Sequence, residues 1–195
     1  MKSTANPYAA GALAAEQFVK SWGMELPIDP FAIADKFKIT VVAKPASHPG
    51  VSGMLVRVGN EFAIAYTTHI DNEPFQRYSV AHELGHYFLP GHSEAVFDAH
   101  GVHESRAQFV SKDRYEMKAD GFAAGLLMPR HLFVPALGRS QQGLAGVVGL
   151  AILCKTSLHA TAIRYAQCTR VHGRCRHQHR VPNRPLLHVR GAQIR

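Results

Sequence analysis

The segment over residues 74–89 predicts an amphipathic helix that carries two histidines suited to one metal ion. Pro74 falls in its first turn, where a missing N–H costs no hydrogen bond, and apolar residues recur at steps of three and four. The run His82-Glu83-Leu84-Gly85-His86 places its histidines four residues apart, on one helical face. Both imidazoles can therefore reach the same ion. The apolar face must pack against a core, so the helix requires a folded domain around it.

Glu83 adds a base to the histidine pair. Zinc lowers the pKa of a water molecule toward ~7 and polarises a carbonyl group, and a carboxylate beside it can take the proton as the water attacks. The motif fixes only three positions, and the alternative is a helix with buried, hydrogen-bonded histidines. Two further histidines, His100 and His103, lie in a polar stretch over residues 93–112 that is expected to be a loop. Either can donate a hydrogen bond in catalysis or simply be solvated.

A catalytic zinc needs a third protein ligand, and two residues compete for this role. His92 follows the motif at the spacing of the extended HExxHxxGxxH pattern, but Leu89 stands where that pattern has glycine. Glu116 lies on a second predicted helix, over residues 113–128, four residues before Asp120. One of these carboxylates can bind the metal while the other accepts a ring N–H from a ligand histidine. Glu116 is the favoured ligand, although it can instead complete a capping box.

Three stretches of the sequence, PIDPFAIADKFKITVV, RYSVAHELGHYFL and EMKADGFAAGLLMP, resemble the ImmA/IrrE family of zinc metallo-endopeptidases. The resemblance spans roughly residues 22–169. It implies a small zincin-like fold in which His82, His86 and Glu116 hold zinc and Glu83 is the catalytic base. It also implies a protein substrate, characteristically a helix-turn-helix repressor whose cleavage derepresses a mobile element or a stress regulon.

The order of the predicted elements indicates an α+β fold with a short antiparallel sheet beside the two site helices. Apolar runs over residues 51–58 and 61–68 flank a Gly-Asn pair and predict a β-hairpin, whose edge is a candidate acceptor for an extended substrate strand. We expect a peptidase domain over residues 1–139, a helical segment over 140–169 and a disordered basic tail over 170–195.

From these features of the sequence, we expect the chain to be cytoplasmic. No apolar run approaches the roughly 20 residues that span a bilayer, the N-terminus lacks the layout of a secretory signal, and three cysteines are too few for a disulfide framework. Near the N-terminus, residues 9–22 predict a helix that presents Leu13, Phe18 and Trp22 to the core.

The net charge of +8 is concentrated in the segment 170–195, which holds seven arginines and no acidic residue. The rest of the chain is therefore nearly neutral, and weak, non-specific nucleic-acid binding is expected of the tail alone. The main alternative function is a DNA-binding transcriptional regulator with a non-catalytic zinc site. In that interpretation residues 141–168 form a helix-turn-helix that presents His159, Thr161 and Arg164 to DNA.

Overall fold

The computed structural model describes residues 6–45, 50–106, 113–140 and 142–176, and the structural statements below refer to these ranges. They contain eight helices and four strands, which confirms the α+β fold class. In chain order these are α1 (Pro7–Ser21), α2 (Pro30–Lys36), β1 (Thr40–Lys44), β2 (Val51–Val58), β3 (Glu61–Thr67), α3 (Glu73–Phe88), α4 (His92–Val96), β4 (Val102–Arg106), α5 (Arg114–Leu127), α6 (Arg130–Arg139), α7 (Gly143–Cys154) and α8 (Leu158–Arg176).

The four strands form one sheet in the order β1-β3-β2-β4. Strands β2 and β3 make the predicted hairpin, but β1 pairs with β3 in parallel, so the sheet is mixed rather than wholly antiparallel. Strand β4 pairs with β2 on its other side. The prediction that the hairpin offers an edge to a substrate is therefore wrong, because each of its strands has a neighbour on both sides. The edge strand beside β2 is β4.

Most of the stretch 93–112 is not the long loop that the sequence predicted. Helix α4 occupies its first part, and β4 pairs with β2 from Val56 to Val51. The strand reads VHESR, and a short polar strand at a sheet edge gives no apolar run by which to recognise it. Residues 107–112 of this stretch lie outside the described residues.

Glycines allow helix α5 to pack directly against α1 on one side and α3 on the other. A Cβ atom at Gly11 of α1 would lie 1.9 Å from the carbonyl oxygen of Lys118 in α5. A Cβ atom at Gly121 of α5 would lie 2.0 Å from the carbonyl oxygen of Tyr8 in α1. On the other side, a Cβ atom at Gly85 of α3 would come within 3.1 Å of the α5 backbone. This close packing fixes the distance between α5 and the helix that carries the two motif histidines.

The face of α1 that was predicted to point inward is right for Phe18, which packs against the main apolar cluster, but wrong for Leu13 and Trp22. Leu13 is 56% exposed and Trp22 is 45% exposed, whereas Ala12, Ala15 and Val19 are buried. The small residues face α5 because the two helices are too close for long side chains between them. A pattern that weights residues by hydrophobicity selects the larger side chains and so misses the small residues that make the closest contact.

Helices α6, α7 and α8 enclose a second apolar cluster, which includes Met128, Phe133, Leu150 and Cys154. Helix α8 continues to Arg176, beyond the position where disorder was predicted to begin, and residues 177–195 lie outside the described residues. Within the described ranges, no single helix is long and apolar enough to cross a membrane. Helix α7 and the first part of α8 are long and apolar enough only when they are taken together, and the chain bends by 114° between them.

Two residues that the DNA-binding alternative directs towards bases are buried instead. The Arg164 side chain donates through Nε to the carbonyl oxygen of Met128 at 3.0 Å and forms an ion pair with Glu16. The hydroxyl of Thr161 lies 2.8 Å from that of Thr156. These side chains hold α8 against the rest of the fold, so they are not available to DNA.

Candidate metal centre

Helices α3 and α5 bring together the three predicted metal ligands, His82, His86 and Glu116. One ligand atom of each lies within 4.8 Å of the other two. Oε2 of Glu116 is 3.2 Å from Nε2 of His82, and Oε1 is 3.3 Å from Nε2 of His86. The two histidine Nε2 atoms are 3.1 Å apart. Two nitrogens and one carboxylate that converge in this way can hold a divalent metal ion and leave a coordination position open.

The electrostatics of this cluster favour a cation. Three carboxylates, of Glu83, Glu116 and Asp120, lie around the two motif histidines. Burial by itself lowers the pKa of His82, but hydrogen bonds with Asp120 and Glu116 and the charge of Glu83 raise it to about 10. Burial raises the pKa of Glu116, but hydrogen bonds from three histidines outweigh burial and hold that pKa well below its usual range. A positive charge between these groups is therefore stabilised, and the donor set fits zinc.

Asp120 and Tyr78 hold His82 in one orientation. Nδ1 of His82 donates to Oδ1 of Asp120 at 3.0 Å, which leaves Nε2 directed at Glu116. The Tyr78 hydroxyl, one turn earlier on α3, donates to the same Asp120 oxygen at 2.9 Å. Burial and the neighbouring Asp120 raise the pKa of Tyr78 well above its usual value, so the hydroxyl keeps its proton. The sequence gives no separate signal for this role of Tyr78, because its spacing in α3 fits a core position equally well.

Glu83 is fully buried, and neither of its carboxylate oxygens has a hydrogen-bond partner among the described residues. Buried carboxylates normally accept hydrogen bonds, so the unpaired oxygens of Glu83 are free to bind a water molecule or another polar ligand. Gly53 of β2 packs directly against this carboxylate, since a Cβ atom there would lie 2.6 Å from Oε1 of Glu83. The pairing of β2 with β4 shifts register between Val51 and Gly53, an irregularity of the kind found beside active sites.

Strand β4 adds His103 to the site. Its register pairs His103 with Leu55, a core residue, so both side chains point to the face of the sheet that packs on α3. Nε2 of His103 lies 3.1 Å from Oε1 of Glu116, and its ring centroid is 4.3 Å from that of His86. Burial lowers the pKa of His103, but the hydrogen bond to Glu116 and the charge of Glu83 raise it overall. The ring is therefore a hydrogen-bond donor at the edge of the ligand cluster.

The sequence left two alternatives open: His92 as the third metal ligand, and Glu116 as part of a capping box. His92 is fully buried, but its Nδ1 lies 3.4 Å from Nδ1 of His86, on the side of that ring opposite the ligand cluster. Burial and the neighbouring His86 lower the pKa of His92 to about 4, so it is neutral and can accept a hydrogen bond from His86. At the start of α5, Asp113 caps the helix by accepting from the backbone N–H of Tyr115 at 2.6 Å. The Glu116 side chain is directed at the two motif histidines instead.

The family model of the IrrE N-terminal-like domain, peptidase family M78, matches residues 34–164 of the chain. The chain belongs to this family. The resemblance found in the sequence is thereby confirmed, and the family supports a metallopeptidase fold around the His82, His86 and Glu116 group.

One solved structure, a Mycobacterium tuberculosis transcriptional regulator, resembles this M78-family chain with a TM-score of 0.52 and 17% sequence identity. The match covers 79% of this chain and 46% of that one, so the chain spans less than half the length of the regulator. At this identity the likeness concerns the fold. No curated protein matches the chain in sequence.

Proposed function

We propose that the chain is a zinc-dependent endopeptidase that hydrolyses a peptide bond in a protein substrate with Glu83 as general base. The observation that carries the proposal is the buried Glu83 carboxylate, which has no hydrogen-bond partner in the part of the chain that the structure describes and whose charge acts on both motif histidines. A helix with only a packing role would not keep an unpaired carboxylate in the protein core. Burying such a group without a partner costs several kcal/mol, of which the unmade hydrogen bond alone accounts for about 1–3 kcal/mol.

In this mechanism His82, His86 and Glu116 hold the zinc ion. When bound, zinc polarises the scissile carbonyl and lowers the pKa of a water molecule. Asp120 keeps the proton of His82 on Nδ1, so that Nε2 is available as a ligand. Glu83 takes a proton from the attacking water and passes it to the amide nitrogen that leaves. His103 donates a hydrogen bond to the carbonyl oxygen as negative charge develops there.

The proposed substrate is a helix-turn-helix repressor that controls a mobile element or a stress regulon. The resemblance to the ImmA/IrrE family supports this class, and the shared fold with a transcriptional regulator is compatible with it. The edge strand β4 offers a place for an extended segment of the substrate to pair, since it lies at the rim of the sheet and carries His103. This strand replaces the hairpin as the candidate for strand addition.

A substitution of the base separates the proposed peptidase from a non-catalytic metal protein. Glu83→Gln keeps the three ligands and should bind as much zinc as the unmodified chain, while cleavage falls by about 10²–10⁴-fold. The assay incubates each zinc-loaded protein with an extract of its host cells and identifies new protein N-termini by mass spectrometry. New termini that need Glu83 would support the proposal. Zinc-loaded protein that generates the same termini with and without Glu83 would contradict it.

The same experiment tests the DNA-binding alternative, because zinc bound without any cleavage would favour a regulator. The structure leaves that alternative with little base-reading surface, since Thr161 and Arg164 are buried in the fold. Binding through the arginine-rich tail should collapse between ~50 and ~200 mM salt, as expected for phosphate contacts alone.

A further inference from the structure

The start of α4 places His92 directly behind one of the two motif histidines. Helix α3 ends at Phe88, and Gly91 adopts a φ of 74°, a left-handed conformation that glycine reaches at little cost. The turn at Gly91 brings the backbone N–H of His92 to the carbonyl oxygen of Leu89, at 3.2 Å. The His92 side chain therefore lies against the last turn of α3, in contact with His86.

The hydrogen bond between His86 and His92 has a defined direction when His86 serves as a metal ligand. Nε2 of His86 faces the ligand cluster, 3.3 Å from Oε1 of Glu116, so the proton of this ring must lie on Nδ1 for Nε2 to bind a metal ion. Nδ1 of His86 lies 3.4 Å from Nδ1 of His92. The His92 nitrogen must therefore be unprotonated and accept the bond. The proton of the His92 ring then lies on its Nε2 atom.

The other ring nitrogen of His92 argues against a role in packing alone. His92 is fully buried, and its Nε2 atom has no hydrogen-bond partner among the described residues. A buried N–H group without a partner costs about 1–3 kcal/mol. The Tyr115 ring packs edge-on to the His92 ring, with centroids 5.1 Å apart, and an apolar side chain of similar size could make this contact without that cost. The acceptor at Nδ1 is what distinguishes histidine from such a side chain.

The second motif histidine has an acceptor in the equivalent position. Nδ1 of His82 donates to Oδ1 of Asp120 at 3.0 Å, as His86 donates to His92. Each of the two rings is thus held through the nitrogen that faces away from the ligand cluster. Acceptors of this kind fix the ring orientation and the proton position of a ligand histidine, and the loss of one typically costs about 10- to 100-fold in metal affinity.

We propose that His92 is a positioning residue of the metal centre, which accepts the Nδ1–H of His86 and so holds Nε2 of that ring towards the metal. The inference rests on the proposed zinc peptidase function and adds to it a residue that binds neither the metal nor the substrate. Removal of the acceptor should weaken zinc binding about 10- to 100-fold, while zinc in excess still fills the site.

Three substitutions at position 92 separate the acceptor from the packing of the ring. In His92→Asn the amide oxygen can take the place of Nδ1, in His92→Gln it reaches the place of Nε2 instead, and His92→Leu has no acceptor. Competition with a chelator measures the zinc dissociation constant of each full chain, and the visible absorption of the Co²⁺-loaded chain reports the ligand geometry. We expect His92→Leu and His92→Gln to weaken zinc binding about 10- to 100-fold and to change the Co²⁺ spectrum. His92→Asn should keep both the affinity and the spectrum of the unmodified chain.

Phe133→Leu is the control for lost packing, because Phe133 is fully buried in the second apolar cluster, which contains none of the proposed ligands. It should lower the unfolding temperature and leave zinc binding unchanged. If His92→Leu binds zinc as tightly as the unmodified chain, or if the asparagine and glutamine variants weaken binding equally, the positioning role is refuted and the metal centre stands. If the unmodified chain binds no zinc, the proposed function fails and the positioning role fails with it.

Discussion

Replacing Gly53 with alanine should slow peptide-bond cleavage without removing the metal. The position lies in β2 opposite Glu83, whose side chain supplies the three atoms nearest to a Cβ atom added there. Its φ is not positive, so the backbone itself accepts an alanine. The perturbation is therefore confined to the space between Gly53 and the Glu83 carboxylate.

The structure sets the size of the effect. The added Cβ atom would lie 2.6 Å from Oε1 of Glu83, where ordinary contact begins at 3.4 Å, so the oxygen must move by about 0.8 Å. Cγ and Cδ of Glu83 would be at 3.2 and 3.3 Å, which means that rotation of the carboxylate alone does not relieve the contact. A misplacement of about 1 Å can cost about 10²-fold in rate, equivalent to about 2.7 kcal/mol in the activation free energy.

The assay measures the cleavage rate constant on a substrate identified from its new N-terminus, together with zinc per chain and the unfolding temperature. Gly149→Ala is the control, since a Cβ atom on that helical glycine of α7 meets nothing within 4 Å. The control should cleave at the unmodified rate. A folded, zinc-loaded Gly53→Ala protein that cleaves within about threefold of that rate would refute the reasoning, because the base would then not need its observed position.

Four further substitutions test the ligands, the donor and the helix packing. Glu116→Ala should remove zinc in elemental analysis, because its carboxylate contacts both motif histidines, whereas His92→Ala should retain it; the reverse result would make His92 the third ligand. His103→Ala should retain zinc and lower kcat about 10²-fold with little change in KM, and a change confined to KM would instead assign it to substrate binding. Gly121→Ala should lower the free energy of unfolding by about 1–3 kcal/mol in denaturant titrations, because its Cβ atom would lie 2.0 Å from a backbone oxygen of α1. The Gly149→Ala control should lose no stability, and equal losses would contradict the close packing of α1 on α5.

Local sequence signals predicted the elements that carry the ligands. Helix α3 has an N-cap, a proline in its first turn and apolar residues at helical spacing, and the structure ends it at Phe88, close to the predicted end. The hairpin followed from two apolar runs around a Gly-Asn turn. Asp120 was expected to accept a ring N–H of a ligand histidine, and the structure places it 3.0 Å from His82. These features depend on residues close in sequence or on the spacing within one helix.

The contributions of Gly53, Tyr78 and His103 depend on contacts between distant parts of the chain. Gly53 matters because β2 passes against Glu83, and no pattern in its own strand signals this. His103 reaches Glu116 only because β4 pairs with β2 in a register that places it beside Leu55. Strand pairing determines both of these positions, and the sequence of one short polar edge strand does not predict its partner.

The packing of α5 explains why a small sheet and two helices suffice to build this site. Glu116 must reach two histidines on another helix with a short side chain, so the α3 and α5 backbones must be close, as they are at Gly85. Helix α1 packs against the opposite face of α5 through backbone contacts at Gly11 and Gly121. Stability and ligand geometry therefore depend on the same helix. A substitution that pushes α1 away from α5 should weaken zinc binding as well as folding, although α1 contains none of the proposed ligands.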